Sequence, residues 1–187
     1  MKKSQMSLEY LLLTGFILIA LIIPSMFLLH TFIGKNVYGS LNTRIANDLG
    51  ASLTESAKEL YFLGLYSKQK VEVEVPENTK KFFILDLNKS NSHVYYIILK
   101  TFNNKSFHFL SDIPLTSKDS AEVKIIKQTD PSYAEFTKEV PECKKSTINC
   151  LFYSFEGNIL FQGKKTFKLE TIYSQENNEI KVSIVPE

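Results

Sequence analysis

The sequence is poor in cysteine and in net charge, and both shortages exclude classes of protein. The chain of 187 residues has two cysteines, and 22 basic against 20 acidic side chains give a formal net charge of +2. Two cysteines are too few for a disulfide-dense scaffold and cannot complete a four-ligand zinc site by themselves. Nucleic-acid-binding proteins normally carry a clear basic excess. We therefore expect no nucleic-acid partner.

Recognisable catalytic motifs are also missing from the sequence. It contains no phosphate-cradling G-x-x-x-x-G-K-[ST] loop, no G-x-S-x-G elbow and no H-E-x-x-H zinc motif. His93 and His108 fall on separate predicted strands that could meet in the fold, but a metal site would need further ligands that the sequence does not indicate. We predict no enzyme activity, no catalytic residue, no cofactor and no metal site.

The largest shortage is a gap in charge near the N-terminus. Lys2, Lys3 and Glu9 precede the gap, and no Asp, Glu, Lys or Arg occurs from Tyr10 to Ile33. These 24 residues are mainly apolar and exceed the roughly 20 that cross the hydrocarbon core of a bilayer as a helix. A buried helix of a soluble protein is seldom apolar all round for so long. The run predicts one transmembrane helix.

Charges beside the run predict its orientation. Basic residues collect on the cytoplasmic side, so Lys2 and Lys3 place the N-terminus in the cytoplasm and the C-terminal part outside, although Lys35 and Arg44 weaken the contrast. An ordinary secretory signal peptide has an apolar region of about 7–15 residues before a small-x-small cleavage site. This run is longer and is followed by no clear A-x-A, so it is not typical of such a peptide.

A short polar motif overlaps the start of the apolar run. Residues 2–13 read KKSQMSLEYLLL, in which Gln5, Ser7, Glu9 and Leu13 follow a basic pair in the pattern Q-x-S-x-E-x-x-x-L. This segment resembles the class III signal peptide of archaeal type IV pilin-like proteins. The motif covers a small part of the chain, so the resemblance concerns processing and anchoring rather than the C-terminal domain.

The resemblance implies cleavage of a leader and a set of partners. In that family a membrane prepilin peptidase cuts just before the Gln, here between Ser4 and Gln5. Members often carry Gly or Ala at the position of Ser4 and Phe at that of Tyr10. The implied partners are the peptidase, the membrane, other pilin subunits in a homo- or hetero-filament, and the pilus assembly machinery. Loss of the two lysines would leave equal numbers of basic and acidic side chains.

Glu9 is an isolated carboxylate at the edge of the apolar run. A charge left unpaired in hydrocarbon costs several kcal/mol. In the pilin model, this carboxylate pairs with the α-amine that cleavage creates on Gln5 of a neighbouring subunit. The alternative is that Glu9 is solvated among lipid headgroups while Ser7 caps the helix. The resemblance favours the assembly role.

Helical periodicity continues beyond the apolar run. Pro24 lies inside the run and predicts a kink, which membranes tolerate. From about Val37 to Leu65 apolar or small residues recur every three or four positions, which predicts an amphipathic helix. These positions are Tyr38, Leu41, Ile45, Leu49, Leu53, Ala57, Leu60 and Gly64. We expect one helix from about Ser7 to Tyr66; the alternative is a linker and a separate helix, since several glycines lower helix propensity.

After Lys70 the pattern becomes that of β-strands, and no further helix is predicted. Alternating apolar residues predict strands at 71–75, 81–87, 93–102, 106–111, 122–128, 148–155, 159–162, 166–174 and 179–185. Gly157-Asn158, Gly163 and Gln175–Asn178 suit hairpin turns. The predicted core includes Phe82, Ile84, Tyr95, Ile97, Phe107, Phe109, Phe152, Phe161 and Phe167.

These patterns together predict an α+β fold. We expect a long N-terminal helix, transmembrane and then amphipathic, packed on a mostly antiparallel β-sheet or β-sandwich. The expected organisation is a leader at 1–4, a transmembrane or filament-core helix at 5–33, an amphipathic extension at 34–68 and an extracytoplasmic β-rich domain at 69–187.

Two features of the β-rich region suit an exported domain. Cys143 and Cys150 enclose six residues, and outside the cytoplasm they are expected to form a disulfide, which would contribute about 2 kcal/mol. Asn88 and Asn104 each begin an N-x-S glycosylation sequon in a predicted turn. Both are candidate glycosylation sites.

Two functions fit the sequence. The first is a processed pilin-like subunit of a surface filament, as a minor or adhesive component because the outer domain is large. The second is a single-pass anchored surface domain that binds a ligand without polymerising.

Overall fold

The computed structural model describes residues 2–33, 38–89, 92–118, 122–145, 148–175 and 178–187, without the side chains of residues 2–8, 38 and 158. The chain divides into two compact units, residues 1–42 and 43–187. The predicted α+β class is confirmed: an apolar N-terminal helix is followed by a second helix and by a mostly antiparallel β-domain.

Helix α1 spans Lys2–Phe32 and includes Pro24 in its interior. Its segment Glu9–Phe32 is long and apolar enough to cross a membrane, and none of it is buried among the residues that the structure describes. Hydroxyl groups inside the helix bond to carbonyl oxygens of the preceding turn: Ser25 Oγ donates to Leu21 O at 2.7 Å and Thr31 Oγ1 to Phe27 O at 2.8 Å. Both hydroxyl groups are thereby satisfied within the helix itself.

Helix α2 spans Tyr38–Leu63, and its residues from Thr43 onward belong to the second unit. The buried side chains recur at helical spacing and belong to Ala46, Leu49, Leu53, Ala57 and Leu60. Leu41, expected on the same stripe, is 50% exposed. The helix ends at Leu63 and is followed by Gly64, whose φ of 91° suits glycine. It therefore stops short of the predicted boundary at residue 68. The predicted continuity with α1 depends on residues 34–37, which lie outside the described residues.

In the described part of the chain, nine strands follow and form two sheets. Their ranges are β1 Lys68–Val75, β2 Thr79–Lys89, β3 Ser92–Thr101, β4 Ser106–Ser111, β5 Leu115–Thr116, β6 Val123–Ile126, β7 Ile148–Phe155, β8 Gly163–Ser174 and β9 Glu179–Pro186. One sheet has the order β1-β8-β9-β5 and the other β4-β3-β2-β7-β6. Within the described residues every pairing is antiparallel except that of β5 with β9.

One apolar core joins helix α2 to both sheets. The apolar face of α2 packs with side chains of the four-stranded sheet and of the five-stranded sheet. Phe82 stacks on Phe155 with 4.6 Å between ring centroids, and Phe167 meets Phe82 edge-on at 5.8 Å. The amphipathic pattern of α2 thus exists because one of its faces completes this core.

A second core lies on the opposite face of the five-stranded sheet. It is covered by the chain between β6 and β7, which contains helix α3, Tyr133–Phe136, and a 3₁₀ turn at Pro141–Lys144. Phe136 lies 5.3 Å, centroid to centroid, from both Phe83 and Phe152. Strand β2 is therefore buried on both faces.

Several predictions about this domain are wrong. Residues 159–162 do not form a strand: Gly157–Leu160 is a 3₁₀ turn, because Gly157 bends the chain at a φ of 72° and Ile159 turns into the core. The side chain of Phe161 is consequently 67% exposed rather than in the core. The chain between β6 and β7, for which no helix was predicted, contains α3.

Candidate functional site

The Q-x-S-x-E-x-x-x-L motif lies in the first turns of α1. Ser4, Gln5 and Ser7 fall within the helix, and their side chains lie outside the described part of the chain. Glu9 and Leu13 are four residues apart, which places them on neighbouring turns of one helix face, and both are exposed. The helix therefore presents a carboxylate immediately before a surface of uncharged residues.

That surface is apolar all round. From Tyr10 to Ile33 every large apolar side chain is exposed, with Phe16 at 76% and Phe27 at 74%. A monomeric soluble protein rarely exposes contiguous apolar surface on this scale. By its length and composition the segment suits a membrane span.

The two cysteines and the two sequon asparagines lie at different places in the β-domain. Cys143 and Cys150 form a disulfide, with 5.7 Å between their Cα atoms, and link the 3₁₀ turn to β7. Asn104 lies exposed in the turn between β3 and β4 with a φ of 57°. Asn88 was expected in a turn but lies half-buried in β2, because β2 extends two residues beyond the predicted strand and pairs there with both neighbours.

The two strand histidines do not come together. His108 lies opposite Ile98 on β3, five positions from His93, and an odd separation along a strand puts the two rows on opposite faces of the sheet. Among the described residues, no group of three or more His, Cys, Asp or Glu side chains could hold a metal ion.

His93 instead joins a cluster of buried charges. Its Nδ1 lies 2.8 Å from Asp86 Oδ1, and Lys181 Nζ lies 3.8 Å from Asp86 Oδ2. Lys181 Nζ also lies 3.1 Å from Glu179 Oε1. The side chains of Asp86 and Lys181 are each only 8% exposed. Each buried charge thus has a partner, without which its burial would cost several kcal/mol.

Tyr95 completes this cluster. Its hydroxyl donates to Glu179 Oε1 at 3.4 Å, and Lys181 Nζ lies 5.8 Å from the centroid of its ring. Burial raises the pKa of the Tyr95 phenol far above its ordinary value, and the nearby charges of Asp86 and Glu179 raise it further. Tyr95 therefore stays a neutral hydrogen-bond donor at ordinary pH.

Sequence reasoning missed this cluster, although a signal was present. Asp86 stands inside the apolar run FFILDL and Lys181 inside IKVSIV. A lone charge within an apolar strand needs a partner in the fold. The sequence does not identify that partner, because Asp86 and Lys181 belong to different sheets.

Comparisons of the chain with protein-family models, with curated proteins and with solved structures return no match.

Proposed function

We propose that the chain is a pilin-like subunit of an archaeal type IV-pilus-like surface filament, in a minor or adhesive role. A prepilin peptidase removes residues 1–4, and the mature subunit polymerises through its N-terminal helix. The observation that carries the proposal is the juxtaposition of the motif at Gln5, Ser7, Glu9 and Leu13 with an apolar helix, of which the segment Glu9–Phe32 is not buried among the described residues.

In this proposal α1 is first a membrane anchor and then the core of a filament, and the β-domain lies outside the membrane. In the precursor, α1 lies in the membrane with Lys2 and Lys3 on the cytoplasmic side and the β-domain outside. Cleavage removes those two cationic anchors, which favours transfer of the helix from lipid into a filament. There the apolar surface of α1 is covered by the same helix of other copies, since burial of apolar area drives association.

Glu9 is the residue on which assembly depends in this proposal. In the filament core its carboxylate pairs with the α-amine of Gln5 of a neighbouring subunit, so that two charges are neutralised together. An unpaired carboxylate in that surrounding costs several kcal/mol. The pair therefore selects subunits that have been cleaved.

Replacement of Glu9 tests the assembly step. Glu9→Ala should still be inserted in the membrane but should be lost from filaments, in an archaeal host that carries the peptidase and the assembly machinery. Glu59→Ala is the matched control, because Glu59 is an exposed carboxylate on α2, and it should behave as the unaltered chain. Immunoblots of sheared filaments and of membranes measure both. Filaments that contain the Glu9→Ala chain in normal amount would contradict the pairing.

A further inference from the structure

A cleft of about 300 Å³, whose lining residues are mainly polar, opens at the ends of strands β2, β3 and β7. Its lining includes the buried cluster of Asp86, His93 and Lys181 and, around it, a set of uncharged amides. The volume is at the lower end of the range of small-molecule sites. Polymerisation through α1 makes no use of this cleft.

The register of the sheet places three polar side chains in one row across the cleft. Asn88 on β2 lies opposite His93 on β3 and opposite Asn149 on β7. Side chains in register on adjacent strands stand about 5 Å apart on the same face. One row further along, Asp86 lies opposite Tyr95 and Leu151. The cleft thus has a polar row beside a partly apolar one.

The buried charges of the cleft are paired with one another. Asp86 is engaged by His93 and Lys181, and Lys181 also by Glu179. Lys127 is a further cation of the lining, but its side chain is exposed. An anion site would require several cations converging without partners of their own. The charge distribution therefore favours an uncharged ligand.

The amides of the cleft offer both donors and acceptors. Within the described residues, the side chains of Asn88, Gln128 and Asn149 make no hydrogen bond or ion pair, and all three line the cleft. Each amide presents two N–H donors and one carbonyl acceptor. Vicinal hydroxyl groups match this set, because each hydroxyl also donates and accepts. Leu151 and Tyr153 add apolar surface for the C–H face of such a ligand.

From this arrangement we infer that the cleft binds a carbohydrate, with one sugar ring held by the row of His93, Asn88 and Asn149. The ring hydroxyls bond to the amides, and the C–H face packs towards Leu151. Binding is independent of filament assembly, so an unprocessed chain has the same affinity as a mature one. Asn88 must then remain unmodified, because a glycan on its amide would fill the cleft.

The experiment uses the full chain in a detergent without a sugar headgroup, such as lauryldimethylamine oxide. Saturation-transfer NMR is recorded with glucose, galactose, mannose and N-acetylglucosamine, and inorganic phosphate is titrated separately. At least one sugar should show transfer, and Asn149→Ala should weaken its binding roughly tenfold, the effect of losing one or two hydrogen bonds. Asn149 is exposed, so this variant should fold. Asn47→Ala replaces an exposed asparagine on α2 and should bind normally.

Three results of the binding experiment would overturn the inference. One is the absence of transfer from all four sugars, and another is equal affinity in Asn149→Ala and in the unaltered chain. The third is phosphate binding that Asn149→Ala weakens while no sugar competes with the phosphate, which would make the cleft an anion site. Peptide mapping of the protein from its host adds an independent check. A glycan on Asn88 would contradict the inference, whereas a glycan on Asn104 alone would agree with it.

Discussion

Gly50 lies inside helix α2 although glycine has a low intrinsic helix propensity. In an exposed helix, alanine is favoured over glycine by about 1 kcal/mol. Gly50 is buried in α2, however, and a Cβ placed on it would lie 2.3 Å from ring atoms of Phe109 on β4. The glycine therefore permits close contact between the helix and the sheet. From the sequence alone, it counted only as a weakness of the helix.

We predict that Gly50→Ala destabilises the β-domain by about 1–3 kcal/mol, the usual effect of overpacking. Gly39→Ala is the control, because a Cβ there meets nothing within 4 Å, and it should be neutral or slightly stabilising. Chemical denaturation followed by circular dichroism measures both. Phe109→Leu should reduce the cost of Gly50→Ala in a double-mutant cycle. Equal stability of Gly50→Ala and the unaltered chain would contradict the proposed contact.

Tyr95 predicts how stability responds to alkaline pH. Its pKa is raised in the folded state, whereas the unfolded phenol ionises near pH 10. The stabilisation is present below the unfolded pKa and is lost as the pH rises above it, because only the unfolded chain then releases the proton. The free energy of unfolding should fall by up to about 1.4 kcal/mol per pH unit from this group.

Tyr95→Phe tests that dependence. Between about pH 10 and 11.5 its free energy of unfolding should fall less steeply than that of the unaltered chain. Tyr66→Phe should retain the steep dependence, since the Tyr66 side chain is 79% exposed. The slope is the diagnostic quantity, because loss of the contact with Glu179 lowers stability at every pH. Parallel pH profiles for Tyr95→Phe and the unaltered chain would be incompatible with this explanation.

At the scale of elements, the segment between β6 and β7 is held as a cover over the sheet. Phe136 of α3 is 6% exposed and packs on Phe83 and Phe152. Lys81 Nζ lies 2.6 Å from Glu135 Oε1 and 4.5 Å from the centroid of the Phe136 ring. A second ion pair joins Lys100 to Glu139. Together with the disulfide, these contacts fix a segment that has little regular structure of its own.

We predict that Phe136→Ala lowers the free energy of unfolding by about 3–5 kcal/mol, as loss of a buried phenylalanine normally does. Phe161→Ala is the matched control, because the Phe161 side chain is 67% exposed and its removal should change stability by less than about 0.5 kcal/mol. Urea denaturation of the two variants measures the contrast. A larger loss for Phe161→Ala than for Phe136→Ala would mean that the cover is not a core element.

The elements differ in how far the sequence predicts them. Strands β2 and β7 have long runs of apolar residues, and α2 has an apolar stripe over several turns, so all three are predicted. The run at 159–162 is only four residues long, and at that length periodicity does not distinguish a strand from a buried turn. β5 has two residues and α3 has four, too few for any period to appear.

The two candidate sites also differ in how far the sequence alone predicts them. The motif around Glu9 is local in sequence and can be recognised without a fold. The carbohydrate cleft depends on pairing between strands that are distant in the chain, such as Asn88 with Asn149. Its only local sign is a charge such as Asp86 inside an apolar strand. Long-range pairing is set by the whole sheet, which single-sequence patterns do not specify.

At the scale of the whole molecule, charge divides the chain into two kinds of surface. Between Tyr10 and Ile33 there is no Asp, Glu, Lys or Arg, and the residues after Ile33 carry all of the charged side chains except Lys2, Lys3 and Glu9. The formal net charge of +2 belongs to the full chain. In the proposed mature subunit the loss of Lys2 and Lys3 makes the side-chain charge zero and leaves Glu9 as the one charged side chain before the apolar run.

The mass of the mature N-terminus tests the central proposal most directly. The protein is isolated from a host that carries a prepilin peptidase, digested, and its N-terminal peptide is identified by mass spectrometry. A parallel sample comes from a strain without the peptidase and should keep Lys2 and Lys3. We predict that the mature chain begins at Gln5. An N-terminus at Met1 or Lys2 in the host with active peptidase would contradict the account.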